Sequence, residues 1–324
     1  MQNKNKEIAQ RVVKHNDGKI NSVYYTACGG SLVDMYPSYY FLQAEAKNLS
    51  TGWYTSNEFD HVTPKKLGAN SIVFICSHSG NTPEAVEAAS IAQEKGAVTI
   101  ALTFNPQAKL LNYADEKIVY EWGNELEVVN NPMAIMLDIT SQILAALEDY
   151  DKLPEFADGF AKIDTIVANA VKQVQPRTKA FAQKYQNEPL FYVLGSGPTF
   201  GHTYGFAICS LMEMQWLDAA AIHSGEYFHG PFEVTDKDKP YIVMESLGRT
   251  RDLDERAIKF LNKYAAKVEV VDAKELGLDL IDSEVAEYFN PVLFYTVMCE
   301  YRAKLADIHQ HSLDVRRYMG KVEY

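Results

Sequence analysis

The amino-acid sequence predicts an α/β protein that contains two parallel β-sheets, each flanked by helices. Short apolar runs rich in Val, Ile and Tyr recur along the 324 residues and end in small residues. Segments of helix length separate these runs, an alternation that is typical of parallel sheets covered on both faces. The whole pattern then starts again after residue 187. These observations favour two domains of similar architecture.

Four apolar runs in the first half are interpreted as strands. They are SVYYTACGG (22–30), SIVFIC (71–76), VTIALTF (98–104) and KIVYEW (117–122). Two helical segments lie between them, SLVDMYPSYYFLQAEAK and TPEAVEAASIAQEKG, and a longer one, PMAIMLDITSQILAALEDY, closes the half. The polar region 151–187 is predicted to form connecting helices.

The second half repeats this order of apolar runs. They are PLFYVLGSGP (189–198), PYIVMES (240–246), KVEVVDA (267–273) and PVLFYTVMCEYRAKLA (291–306). Gly29 and Gly80 follow strands of the first half at a spacing of 51 residues, and Gly197 and Gly248 repeat this spacing. The repeat favours an internal duplication. Its second loop reads SLGRTRD where the first reads SHSGNT, so we predict that the second copy is a structural partner or a modified site.

The composition excludes several classes of protein. A formal net charge of -12 argues against a nucleic-acid partner, which would require clustered Lys and Arg. The four cysteines form no CxxC, so we expect neither a disulfide framework nor a zinc site. The polar start MQNKNKEIAQ and the absence of any apolar run of about 18 residues predict no export signal and no membrane partner. We therefore expect a cytoplasmic protein.

The segment SHSGNT (77–82) is a candidate phosphate site. It lies between a predicted strand and a predicted helix, at the edge where open α/β sheets bind ligands. The hydroxyls of Ser77, Ser79 and Thr82 add donors to the N–H groups of the helix start, and Gly80 lets the backbone approach an anion. Neither GxxxxGK[ST] nor GxGxxG is present, so a single phosphate is favoured over a nucleotide. The alternative is that Thr82 only caps the helix and the serines form a turn.

CSHSGNTPE resembles the phosphate loop of the sugar isomerase (SIS) domain, S-x-S-G-x-T, and ACGGS (27–31) resembles the turn after the first strand of that family. The resemblance implies two tandem SIS domains with a flavodoxin-like three-layer sandwich, at 1–165 and 166–310, followed by a tail at 311–324 that closes the active site. It also implies a small sugar phosphate as the substrate. Its phosphate would be bound by residues of both segments: Gly30, Ser31, Ser77, His78, Ser79 and Thr82.

The stretch LMEMQWLDAAAIHSGEYFHGP (211–231) contains a candidate acid and base. Its first part is predicted to be a helix that ends at Ser224-Gly225. A carboxyl such as Glu213 is costly to bury in an apolar helix unless it is paired, and burial raises its pKa toward that of a useful base. The alternative interpretations are that Glu213 is a solvated helix residue and that His229 bonds a turn.

This stretch resembles the isomerase domain of glucosamine-6-phosphate synthase. The resemblance implies that Glu213 moves a proton between C1 and C2 and that His229 assists ring opening, while the role of Glu226 in the GExxHGP motif stays open. The tail HSLDVRRYMGKVEY resembles the tail that closes over the sugar in the synthase. The resemblance implies a catalytic role for Lys321, a match that a one-residue gap would displace. The resemblance further implies a homodimer, or a higher oligomer, in which His229 reaches the site of the neighbouring subunit.

The sequence starts Met1-Gln2, so we expect no glutaminase domain of the kind that supplies ammonia in the synthase. The ending RRY…VEY looks most like that of the fructosamine (fructoselysine) 6-phosphate deglycases. That family implies hydrolysis of a 6-phosphorylated fructosamine to glucose 6-phosphate and an amino acid, with no metal and no cofactor. His309 and His311 are only a weak metal motif. The alternatives are a glucosamine-6-phosphate deaminase or isomerase and a non-catalytic sugar-phosphate sensor. The sequence leaves open which amino acid is carried, and no motif assigns that choice to GNELEVVNN (123–131).

Overall fold

A computed structural model describes residues 2–123 and 127–323. The chain forms two compact units, of which the first ends at Ala161 and the second begins at Lys162. Part of the GNELEVVNN segment, residues 124–126, lies outside the described residues, as does residue 324. Over the described ranges, no helix is long and apolar enough to cross a membrane.

The first unit contains a five-stranded parallel sheet in the order β2-β1-β3-β4-β5. Its strands are β1 (Ser22–Ala27), β2 (Ser50–Thr55), β3 (Ser71–Cys76), β4 (Val98–Thr103) and β5 (Glu116–Val119). Its helices are α1 (Gln2–Val12), α2 (Gly29–Glu45), α3 (Ser56–His61), α4 (Pro83–Glu94), α5 (Pro132–Glu148) and the start of α6 (Leu153–Tyr185). This is the flavodoxin-like order.

The core of this unit explains why its central strands were recognisable. Every residue of β1, β3 and β4 is buried, as expected for strands covered on both faces. Helix α4 packs on this sheet through four buried alanines, whose small side chains bring the helix backbone close to Val73 and Ile75. The alanines are Ala85, Ala88, Ala89 and Ala92.

The second unit contains a four-stranded parallel sheet in the order β7-β6-β8-β9. Its strands are β6 (Leu190–Gly195), β7 (Asp218–His223), β8 (Pro240–Glu245) and β9 (Lys267–Asp272). Helices α7 (Thr199–Gly205), α8 (Arg251–Tyr264) and α9 (Ala286–His309) accompany them, and a π-helical segment (Phe206–Glu213) continues α7. The strand order equals that of the first four strands of the first unit, which supports the internal duplication. The predicted fold class is confirmed.

Three local predictions were wrong. The run at 291–306 was grouped with the strand-like runs but lies inside α9. The buried residues of α9 occur on all sides of the helix, so its sequence shows no helical stripe. The region 151–187 forms one helix, α6, instead of several. The helix predicted from 211 does not continue to Ser224, because the π-helical segment ends at Glu213 and β7 follows before that serine.

Candidate active site

The two predicted phosphate-binding segments meet at one edge of the first sheet. Strands β1 and β3 are neighbours, and their last residues, Ala27 and Cys76, are paired in register. The chain therefore leaves both strands at the same edge, where α2 begins at Gly29 and α4 begins at Pro83. In this strand order, the gap between β1 and β3 is the position where such sheets bind ligands.

The loop after β3 is held in shape by its own polar groups. The hydroxyls of Ser77 and Thr82 share a hydrogen bond of 2.9 Å, and the Gly80 N–H donates to Ser77 Oγ at 3.1 Å. Gly80 has φ +64, and a Cβ there would lie 2.1 Å from the Cβ of Ala108, so only glycine fits. Because Thr82 bonds Ser77, its side chain does not cap α4, contrary to the alternative left open by the sequence.

The start of α2 is likewise open to an anion. Cys28 precedes it without a side-chain cap, and Gly29 and Gly30 are both exposed. A Cβ at either glycine would meet nothing within 4 Å, which leaves room above the backbone. Two helix N-termini without side-chain caps, α2 and α4, therefore present N–H groups and positive dipole ends at one sheet edge. This arrangement suits a phosphate.

Ser31 lies next to Cys76 at this edge of the sheet, and the Asp34 carboxyl lies close to Cys76. The Ser31 hydroxyl hydrogen-bonds the Cys76 thiol, and burial, with the nearby Asp34 carboxyl, raises the pKa of that thiol. Burial also raises the pKa of Asp34 to about 7. The carboxyl is thus largely protonated below neutral pH, and it then adds little negative charge beside an anion-binding edge.

His78 lies in an aromatic cluster at the rim of the loop. Its ring stacks on Phe104 at 5.2 Å between ring centroids and meets Trp122 edge-on at 5.0 Å. Its Nδ1 is 3.1 Å from the hydroxyl of Tyr120. Burial lowers the pKa of His78 and so favours the neutral imidazole, which offers a hydrogen bond without a fixed charge.

The equivalent loop of the second unit is occupied by its own side chains. The Ser246 N–H and hydroxyl both donate to the buried carboxylate of Asp254, at 3.0 and 2.5 Å. Arg249 forms an ion pair with Glu287 beside the same loop. A carboxylate already accepts the donors that would bind phosphate, which supports a structural role for the second copy.

Glu213 lies beside a cavity of about 510 Å³ in the second unit. The cavity has apolar walls and a few polar groups: Ile208, Met212, Glu213, Trp216, Leu217, Asp218, Arg316, Arg317, Tyr318 and Met319. Glu213 Oε1 accepts from Arg316 Nε at 2.9 Å and pairs with Arg316 Nη2 at 2.7 Å. Glu213 is therefore partly exposed and paired. Its volume lies in the range of small-ligand sites.

His229 lies in the turn that follows β7. Tyr227 anchors the turn: its ring is fully buried and its hydroxyl is 2.5 Å from that of Thr235. Phe228 packs under the guanidinium of Arg256 at 4.2 Å. These two anchors leave Glu226 and His229 exposed.

Glu213 and His229 lie at opposite ends of the same strand. Glu213 precedes β7, which begins at Asp218, and His229 follows its last residue, His223. Six residues of extended chain span roughly 17 Å. β7 therefore places the segments that carry Glu213 and His229 at opposite edges of the second sheet.

The tail reaches the cavity through a residue that the sequence analysis did not select. Lys321 is exposed and lies outside the residues that line the cavity, and its backbone N–H donates to Tyr318 O at 2.8 Å. Arg316 is the tail residue that contacts Glu213, 103 positions away. The only sequence signal was the Arg-Arg pair in the tail. In the described part of the chain, no cluster of His, Cys, Asp and Glu has the arrangement of a metal site.

The two parallel sheets and the candidate phosphate loop between β3 and α4 are the features expected of an SIS-domain protein. Residues 19–147 match the family model of the SIS domain. The chain is 41% identical to fructosamine deglycase FrlB of Bacillus subtilis (strain 168), over 99% of this chain and 98% of that protein. It therefore belongs to the SIS family and to the same group of enzymes as that protein, which confirms the resemblance predicted from the loop and tail motifs.

Two further relatives agree with this assignment. Fructoselysine 6-phosphate deglycase of Escherichia coli O157:H7 is 25% identical over 98% of this chain and 90% of that protein. The crystal structure of a candidate phosphosugar isomerase from Salmonella typhimurium LT2 superposes with a TM-score of 0.96 at 42% identity. It covers 100% of this chain and 97% of that one.

Changing Ser79 to Ala should raise KM for a phosphorylated substrate about 10- to 100-fold, because a hydrogen bond to a charged group contributes roughly 1.5–3 kcal/mol. Ser79 is exposed, so the thermal midpoint of unfolding should change little. The double change with Ser77 should raise KM further and also loosen the loop that Ser77 holds together. Steady-state kinetics and a thermal melt check both effects. Unchanged binding of glucose 6-phosphate by the double variant would refute the phosphate site.

Proposed function

We propose that this protein is a deglycase that cleaves a 6-phosphorylated fructosamine to glucose 6-phosphate and a free amino acid. The observation that carries the proposal is the similarity over the whole length to a fructosamine deglycase, at 41% identity. Two local features support it. The loop at Ser77–Thr82 presents hydroxyls beside a helix start, which suits one phosphate, and Glu213 lines a cavity where a carbon acid could be held.

The chemistry follows from the substrate and from two side chains. An Amadori compound carries its amine on C1 and a ketone on C2. His229 assists opening of the sugar ring, and Glu213 takes a proton from C1 and returns one to C2. The double bond thereby moves from C2=O to C1=N, which water hydrolyses to the aldehyde of glucose 6-phosphate and the free amine. General acid–base steps of this kind typically accelerate a reaction about 10²–10⁴-fold.

The position of His229 supports a homodimer with shared sites. Glu213 and His229 lie before and after the same strand, β7, an arrangement that favours their acting on two different sugars. A second copy related by a two-fold axis would supply the missing histidine to each site. Glu226 lies exposed in the same turn and is part of this proposal only as a neighbour of His229. A catalytic role for Lys321, the domain limits at 165 and 310, closure by the tail and a cytoplasmic location remain predictions.

A panel of 6-phosphorylated fructosamines tests the function. The protein is incubated with compounds linked through the α- or the ε-amine of different amino acids, and the released amine is identified by mass spectrometry. We expect glucose 6-phosphate and one amino acid in equal amounts. Release of ammonia from glucosamine 6-phosphate, with no cleavage of any fructosamine, would instead identify a deaminase. Binding without turnover of any compound would identify a sensor.

A further inference from the structure

We propose that Arg316 binds the carboxylate of the amino-acid part of the substrate and thereby releases Glu213 to act as the base. The inference deepens the proposed deglycase function and rests on it. It would make Arg316 the residue that selects amino-acid derivatives over other sugar phosphates.

The guanidinium of Arg316 is prepared for a carboxylate. Its Nη1 donates to the backbone carbonyls of Leu313 and Val315, at 2.6 and 3.1 Å. These bonds orient the group from within the tail. The opposite edge, Nε and Nη2, then faces the carboxylate of Glu213 at 2.9 and 2.7 Å. An edge with two parallel N–H donors is the arrangement that recognises carboxylates specifically.

The pairing conflicts with the role of Glu213 in catalysis. Oε1 of Glu213 already accepts two charge-assisted hydrogen bonds, so in this arrangement Arg316 occupies the oxygen that would have to contact a carbon-bound proton. A substrate that carries its own carboxylate can replace Glu213 on the same guanidinium edge. The number of ion pairs is then unchanged, and Glu213 is released beside the sugar. A sugar phosphate without a carboxylate cannot make this exchange.

The rest of the cavity keeps Arg316 in position. Trp216 at its rim has φ +56, a backbone conformation that is costly for a bulky residue and persists only where its surroundings hold it. Its ring packs against His311 at 4.5 Å and under the guanidinium of Arg317 at 4.3 Å. The Gln215 amide donates to the His311 carbonyl at 3.3 Å. These contacts fasten the tail to the cavity and give Arg317 a packing role, which makes it a matched control for Arg316.

The test compares substrates that differ only by a carboxylate. Fructoselysine 6-phosphates linked through the α- and the ε-amine become one compound, fructosyl-cadaverine 6-phosphate, when the lysine carboxyl is removed. Amine release is measured for all three with wild type, Arg316→Gln, Arg316→Lys and Arg317→Gln. Wild type should prefer its better lysine isomer over the cadaverine compound by about 10- to 100-fold in kcat/KM.

Arg316→Gln should abolish that preference, because kcat/KM for the better lysine isomer should fall about 10- to 100-fold more than kcat/KM for the cadaverine compound, which has no carboxylate to lose. Arg316→Lys should retain part of the preference, and Arg317→Gln should retain nearly all of it. Equal losses for all compounds in Arg316→Gln would overturn the inference, because Arg316 would then only orient Glu213. A preference that survives Arg316→Gln would overturn it too. If wild type cleaves none of the three, and none of the wider panel, the deglycase function itself fails.

Discussion

Glu213→Gln should lower the rate of amine release about 10²–10⁴-fold, because the amide cannot take the C1 proton. The change keeps the size and shape of the side chain, and the amide oxygen can still accept from Arg316. Binding of glucose 6-phosphate should therefore stay near the wild-type value, so the loss should fall on kcat. Single-turnover amine release and isothermal titration with glucose 6-phosphate separate the two quantities.

Asp218→Asn is a matched control for this change. Asp218 lines the same cavity and is the first residue of β7. Its change to Asn therefore removes a negative charge from the same place. We expect it to alter the rate less than about threefold, in the range of ordinary surface changes. In deuterated water, wild type should place deuterium on C2 of the product. Undiminished incorporation by Glu213→Gln would show that another group is the base.

The sequence predicted the central strands of both sheets and missed one edge strand in each. β1, β3, β4 and β8 are buried along their whole length, so their sequences are continuous apolar runs. β2 lies at an edge, and Gly52 is its one fully buried residue. β7 lies at the edge of the second sheet and contains three consecutive alanines, which favour helix. Edge strands bury less, and their patterns are correspondingly weaker.

The conformation of the loop at 77–82 could be predicted because its polar groups are contiguous in the chain, while phosphate binding there stays a prediction. Six consecutive residues place the hydroxyls, the glycine and the helix start together, and a strand-turn-helix context follows from the flanking runs. The pairing of Arg316 with Glu213 joins residues 103 positions apart, and no spacing rule predicts such a contact. Likewise, the sequence could not predict that a strand separates Glu213 from His229, because the three alanines of β7 favour helix.

Mixing two inactive variants should restore activity if the sites are shared. Glu213→Gln and His229→Ala proteins are each expected to be inactive, and they are unfolded together and refolded as a mixture. In a mixed dimer, one site then lacks both groups and the other has both intact. Random pairing makes about half of the dimers mixed, so about a quarter of the wild-type activity should return.

The expectation depends on the strand that separates the two residues. If one chain could bring Glu213 and His229 to the same sugar, every site of a mixed dimer would lack one of them, and no activity would return. Each variant refolded alone is the control, and mass spectrometry of the intact dimers measures the mixed fraction. A mixture that stays inactive although mixed dimers are present would exclude the shared site. It would also require Glu213 and His229, which precede and follow β7, to act from one chain.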